Sequence, residues 1–263
     1  MLNAMQKTLI SKEVRGVVRS QGFFTNYLLV PLIMSLIIPV GIVVAIGVFG
    51  VEITDFEDMF TMLAVTIPAY GAELVVIEMV MDFMMPMLFL MIPPLIVVAM
   101  AASSFTGEKE RRTLETLLYT PMNLKQIFTA KIIASWTVGM IVTLVSFVVM
   151  MGSVMGLVWL MLGEVYVPNL SWFVIIVILA PAFALFGIIL QIRISAKAKS
   201  SEEAYQRGGV IVLPLVLILG SQLSGIIFIG PTGFLIMGAT LIGLSWILMK
   251  VTLRKMTYER LLK

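Results

Sequence analysis

The chain has 263 residues, 60% hydrophobic and only 13% charged; ordinary soluble domains are roughly 25% charged, so a water-soluble globule is excluded and a polytopic membrane protein is expected. With no cysteine and no histidine, disulfide frameworks, thiolate metal sites and histidine general bases are excluded too, which argues against a hydrolytic membrane enzyme. The formal charge of +3 could suit nucleic acid, but the cations gather on one side of a membrane instead, so no nucleic-acid partner is expected.

Residues 1–22 predict an N-terminal amphipathic interface helix. Leu2, Met5, Leu9, Ile10, Val14, Val17 and Val18 follow helical spacing along one face, while Lys12, Arg15 and Arg19 share another. Such a helix suits the headgroup region of a lipid bilayer. Residues 27–50 form an apolar run long enough to cross a hydrocarbon core of about 30 Å, with Pro31 and Pro39 as bending points. The next segment, 51–85, holds Glu52, Asp55, Glu57, Asp58, Glu73, Glu78 and Asp82 without a single cation. By the positive-inside rule it faces outward, and its Met-rich latter part is expected to hug the outer interface. Its carboxylate spacing matches no EF-hand loop. A second span is expected at 86–104, kinked at Pro93 and Pro94.

Residues 105–131, FTGEKERRTLETLLYTPMNLKQIFTAK, are a charged island between apolar runs. Glu108 and Arg112, then Arg111 and Glu115, are i, i+4 partners, each such pair contributing about 0.2–0.5 kcal/mol. They favour a short helix over 108–118 with Leu114, Leu117 and Leu118 as its apolar edge. Pro121 ends it, and Asn123 is placed to cap the next helix. A charged helix with an apolar edge could enter a groove on a partner or be a plain solvated connector; spacing leaves both open.

A third span follows at 127–160. Lys125 and Lys131 mark one end and Glu164 the other, so this long run crosses once, as a tilted helix. Gly152 and Gly156 within it form a GxxxG step. The fourth span, 170–192, ends at Arg193, Lys197, Lys199 and Arg207. The stretch 208–250 must cross twice, as spans 208–229 and 233–250, with Gly230-Pro231-Thr232-Gly233 as the outer turn. Ser221, Gln222 and Ser224 ahead of that turn are candidates for a pathway or outer gate. The result is an all-α polytopic protein with six transmembrane helices and both termini cytoplasmic. In this topology all 18 Lys and Arg lie on one side. No ionisable residue falls between the predicted span ends near the membrane centre, where proton relays and ion-coupled carriers need one. Nor is there a phosphate-binding G-x-x-x-x-G-K-[ST] loop.

The island resembles the hallmark of ABC-2 type exporter permeases, approximately E-x-E-x-G-T-x-E-x-L-x-x-x-P followed later by a lysine that opens the third span. Glu108, Glu110, Thr113, Glu115, Leu117, Pro121 and Lys131 fall on it; Arg112 stands where the family usually has glycine. The resemblance covers the whole chain, from the interface helix through the six spans. It implies that 108–118 is a cytoplasmic coupling helix docking on a separate ATP-binding subunit. Two permease chains, identical or not, and two ATP-binding subunits would form the exporter, with the pathway at the permease dimer interface. ATP and magnesium would belong to the partner, leaving this chain with no catalytic, cofactor or metal site. It also implies short re-entrant helices before the last span, here confined to 221–233. The expected location is the cell membrane, as in a prokaryotic plasma membrane. The alternative is a non-transporting scaffold or sensor subunit on the same fold; a secondary carrier is disfavoured by the missing intramembrane charge.

Overall fold

The computed structural model describes residues 3–19, 22, 24–50, 72–110, 122–224, 226–227 and 229–255. Every regular element among them is helical, as lipid demands of a chain that must satisfy its own backbone groups. We number the helices α1 (Ala4–Val18), α2 (Leu29–Phe49), α3 (Glu73–Gly107), α4 (Leu124–Leu162), α5 (Leu170–Ser195), α6 (Ser201–Gln222) and α7 (Pro231–Lys255). The six after α1 are long and apolar enough to cross a membrane.

The core lies where α3, α4 and α5 meet. The apolar window of α3 is 67% buried, against 17% for α2 and 22% for α7, so the latter two form the flanks. Helix α2 leans on α4 and α7 on α5, while α1 lies along the start of α4. Close approach of the central helices depends on missing side chains. A Cβ on Gly139 would collide with a Val97 methyl group, and one on Gly187 would press on the other methyl at 3.4 Å. Gly139→Leu is therefore expected to wedge α4 off α3 and cost about 1–3 kcal/mol. A lowered unfolding midpoint in detergent would record this, with Gly152→Leu, which faces open space, as the neutral control.

Prolines shape three spans by a common device. The turns Ile33–Ile37, Val80–Met84 and Ile175–Leu179 are widened to π geometry. Each closes with the N–H of residue i reaching the carbonyl of i−5: Ile38 to Ile33, Met85 to Val80 and Ala180 to Ile175. The residue that follows each donor is a proline, Pro39, Pro86 or Pro181. A proline lacks the N–H that the carbonyl four residues back would use, and its ring crowds that carbonyl. A wider turn just before it relieves the crowding. Ahead of Pro93 and Pro94 the helix is interrupted by two turn residues, Leu90 and Met91, at the place where the sequence predicted a kink.

Helix α4 is one rod of 39 residues capped by Asn123, whose N–H donates to the Gln126 side chain at 3.0 Å. At 1.5 Å per residue it is about 58 Å long, well beyond a hydrocarbon core of about 30 Å. It ends at Gly163 in a left-handed conformation, φ 72°, which glycine adopts without steric cost. Among the described residues no atom from outside their own helix turns lies within 4 Å of a Cβ built on Gly152 or Gly156, so the GxxxG step meets no described neighbour.

Two regions differ from expectation. Residues 72–85 do not rest at an outer interface: they are helical, and Val76, Ile77, Met79, Val80 and Met81 are all buried in the bundle. Their apolar periodicity outweighs the acids, because the bundle supplies partners for the acid that is buried. Asp82, which the sequence alone assigned to the outer loop, is buried within α3 and accepts the Tyr166 O–H at 2.7 Å and the Asn169 backbone N–H at 3.4 Å. Helix α6 also starts earlier than residue 208, at Ser201, because the Ser200 side chain accepts the N–H of Glu203 at 3.2 Å and caps it.

Candidate functional site

The two ends of the bundle differ in chemistry. One carries Asp82, Tyr166 and Glu164; the other gathers the start of α1 and α4, the end of α3, the α5–α6 elbow and the last turns of α7. The second, basic end also carries the island motif, so the candidate site is built there.

The site begins with two equivalent helix starts. Asn3-Ala4-Met5-Gln6 opens α1 and Asn123-Leu124-Lys125-Gln126 opens α4. In each, the glutamine side chain accepts the N–H of its own cap, at 2.9 Å for Gln6 and 3.0 Å for Gln126. The boxes sit side by side: Gln6 Nε2 donates to the Gln126 carbonyl at 3.3 Å. One turn on, Leu9 packs with Ile127 and Ala130. Another turn on, Glu13 meets Lys131, with Nζ–Oε1 at 3.1 Å. The helices thus start together and run in the same direction.

Lys131 is 2% exposed. Besides Glu13, its ammonium donates to the Ser104 carbonyl at 2.9 Å and the Ser104 hydroxyl at 2.8 Å. That hydroxyl passes its own proton toward Glu13 Oε2 at 3.0 Å, closing a ring of charge-assisted bonds. Lys131 also lies 5.6 Å from the Phe105 ring centroid, and Phe105 stacks on Phe128. A buried ammonium must be paired and hydrogen-bonded to be tolerated, and this one is.

The turn around Ser104 holds other elements as well. Ser103 Oγ donates to the Met100 carbonyl at 3.0 Å, so it is the Tyr27 O–H that donates to Ser103, at 3.2 Å. This ties the entry of α2 to α3. On the opposite flank Ala102 packs with Ala198 and Ala204 of the elbow. Gln191 spans that elbow, donating to the Ala204 carbonyl at 2.8 Å. Arg193 joins α5 to α7 through Thr252 Oγ1 at 2.7 Å and the Leu248 carbonyl at 3.3 Å. The last turns of α3 are therefore a hub reached by α1, α2, α4 and α6.

The predicted site residues are placed as follows. Glu108 and Glu110 belong to the helical backbone that continues α3. Arg111, Arg112, Thr113, Leu114, Glu115, Leu117, Leu118 and Pro121, and with them most of the predicted coupling helix, lie outside the described residues. Lys12, Arg15 and Arg19 are exposed on α1, as an interfacial face requires. The apolar face of α1 rests partly on protein: Leu9 is buried and Ile10, Val14 and Val17 pack against the core, whereas Met5 and Val18 are each 50% exposed. At the other end, Ser221 and Ser224 spend their hydroxyls on their own helix, on the carbonyls of Ile218 at 2.7 Å and Gly220 at 2.9 Å. Gln222 differs, being buried with neither amide atom hydrogen-bonded among the described residues. Glu13 and Ser104 were missed as site residues. The signal was present, since Glu13 is the lone acid of α1 and Lys131 the lone ion of a long apolar run.

Comparison with known families gives one model, described as ABC-2 family transporter protein, which matches residues 7–244. No curated protein sequence matches the chain. The matched stretch includes Glu13, Ser104, Lys131 and the whole island.

Proposed function

The chain belongs to the ABC-2 transporter family, and on that premise we propose that it is the membrane permease subunit of an ATP-driven exporter working with a separate ATP-binding subunit. The observation that carries this reading is the continuity of α3 into the island: the helix at the centre of the bundle runs on through Glu108 and Glu110 into the motif that relatives use for coupling. A push on that segment would reach the hub within two helical turns. The basic end then faces the cytoplasm by the positive-inside rule, in a prokaryotic plasma membrane, with both termini on that side.

In this mechanism the partner binds ATP and magnesium and closes. The 108–118 segment, docked by Glu108, Glu110 and Glu115 and by the apolar edge of Leu114, Leu117 and Leu118, transmits the movement. On this reading Arg111, Arg112, Thr113 and Pro121 belong to the same docking segment. Two permease chains rearrange between inward- and outward-open forms, and substrate leaves between them.

The test is reconstitution of the chain in lipid vesicles with the ATP-binding subunit that co-purifies with it. Glu108→Lys combined with Glu110→Lys is expected to reduce permease-stimulated ATP hydrolysis by about tenfold or more, equivalent to about 1.4 kcal/mol of lost coupling, with membrane insertion unchanged. Wild-type stimulation in the double variant overturns the roles of these two glutamates. A chain that engages no ATPase at all is a scaffold or sensor instead.

A further inference from the structure

We propose that Lys131 is the positioning residue that makes α1 move with the motif segment, so that α1 is driven by the partner instead of floating beside the bundle. This rests on the exporter reading above.

Three observations lead to it. First, Lys131 bonds to two elements at once, Glu13 on α1 and Ser104 on α3, while itself belonging to α4. One ammonium thereby fixes three helices. Second, its acceptor on α3 is a main-chain carbonyl. In an α-helix the carbonyl of residue 104 pairs with the N–H of residue 108, the first acidic position of the motif, so a shift of that turn moves an atom that Lys131 holds. Third, α1 otherwise rests on apolar packing through Leu9, Ile10, Val14 and Val17, contacts that by themselves fix no register, and on the Gln6 bond to the Gln126 carbonyl, while Met5, Val18 and the cations face outward.

The chemistry of the contact fits a positional role better than a purely stabilising one. A buried ion pair gains little over apolar side chains of the same volume, because desolvation offsets the attraction. What it adds is one permitted register. An apolar contact between α1 and α4 could slide by a turn; an ammonium shared by a carboxylate, a hydroxyl and a carbonyl cannot. The two Asn-x-x-Gln boxes set the helices level at their starts, and Lys131 locks them two turns later.

The natural absence of cysteine allows spin labels to be placed without background. Ser11→Cys on α1 with Leu144→Cys on α4 reports the docking of α1, and Leu144→Cys with Val177→Cys on α5 reports the bundle itself; all three positions are exposed. The full chain is measured in lipid vesicles, alone and with the co-purifying ATP-binding subunit. In Lys131→Met and, separately, Glu13→Gln, the α1–α4 distance distribution is expected to broaden while the α4–α5 distribution holds. Stimulated ATP hydrolysis should fall about fivefold in its maximum with KM for ATP unchanged, and an unaltered α4–α5 distribution excludes general loss of folded protein as the cause. If α1 stays docked in both variants, the clamp is refuted. If α1 is released and stimulation stays at the wild-type level, its role in coupling is refuted. A wild-type chain that stimulates no ATPase overturns the exporter reading, while the spin-label distances still decide the clamp.

Discussion

Trp172→Ala is expected to be among the most damaging single core substitutions, lowering stability by about 3–5 kcal/mol. Trp172 is fully buried at the start of α5. Its ring meets Phe89 of α3 edge-on, centroids 5.6 Å apart, and Phe147 of α4 at 5.7 Å. Phe89 and Phe147 close the triangle at 5.9 Å. Each aromatic pair adds about 0.5–1.5 kcal/mol beyond the area it buries, and the triangle joins the three central helices. Because each helix there packs against lipid elsewhere, no water-driven collapse would refill the hole. Thermal unfolding in detergent, with Phe173→Ala as the control at a 61% exposed neighbour, measures it. Equal losses in the two variants would show that the triangle contributes nothing special. Trp172→Phe, which keeps a ring in place, should lose roughly half as much.

Tyr166→Phe is the second large effect, expected at about 1.5–3 kcal/mol, the range for hydrogen bonds to charged groups. The phenol is buried and donates to Asp82 Oδ1 at 2.7 Å. Without it that oxygen keeps the longer bond from the Asn169 N–H at 3.4 Å. The bond also stitches the α4–α5 connection onto α3, so its loss should increase proteolytic access there. The pH dependence has a definite sign. Burial first, and then the Asp82 charge, raise the Tyr166 pKa above its ordinary value of 10.0. A group whose folded pKa is raised contributes fully below its unfolded pKa and loses that contribution only as pH rises through the folded value. The stability gap between wild type and Tyr166→Phe should therefore be flat from neutral pH to about 9. A gap that closes within that window would mean that the phenol ionises there and is not held as argued.

Much of the architecture was legible because hydrophobic length is a strong signal. The long run after Lys125 read as one helix and is one, and Asn123 caps it as its type and place suggested. Legibility failed where a local property was overridden by a distant partner. Glu73, Glu78 and Asp82 read as part of an outward-facing segment at the outer interface, since carboxylates within apolar turns are costly unless paired. Tyr166, more than eighty residues away, supplies the pairing for Asp82, and no local pattern announces it. The hub failed for the same reason: Glu13 stands out as the lone acid of α1 and Lys131 as the lone ion of a long apolar run, but only the parallel start of α1 and α4 brings them together. The family was legible in the residue types and spacing of the island, and its model matches residues 7–244.

The widened turns ahead of Pro39, Pro86 and Pro181 bear on how such a bundle can change its length. Adding one residue to an α-helix normally rotates everything beyond it by about 100°, which would turn buried faces toward lipid. A π turn absorbs the extra residue locally and leaves the phase of the remaining helix intact. Each of these turns is thus equivalent to a one-residue insertion already paid out. Deleting one residue inside such a turn, together with replacing its proline by alanine, would leave a plain α-helix with both halves still presenting the same faces. Deleting one residue anywhere else in the same span would not.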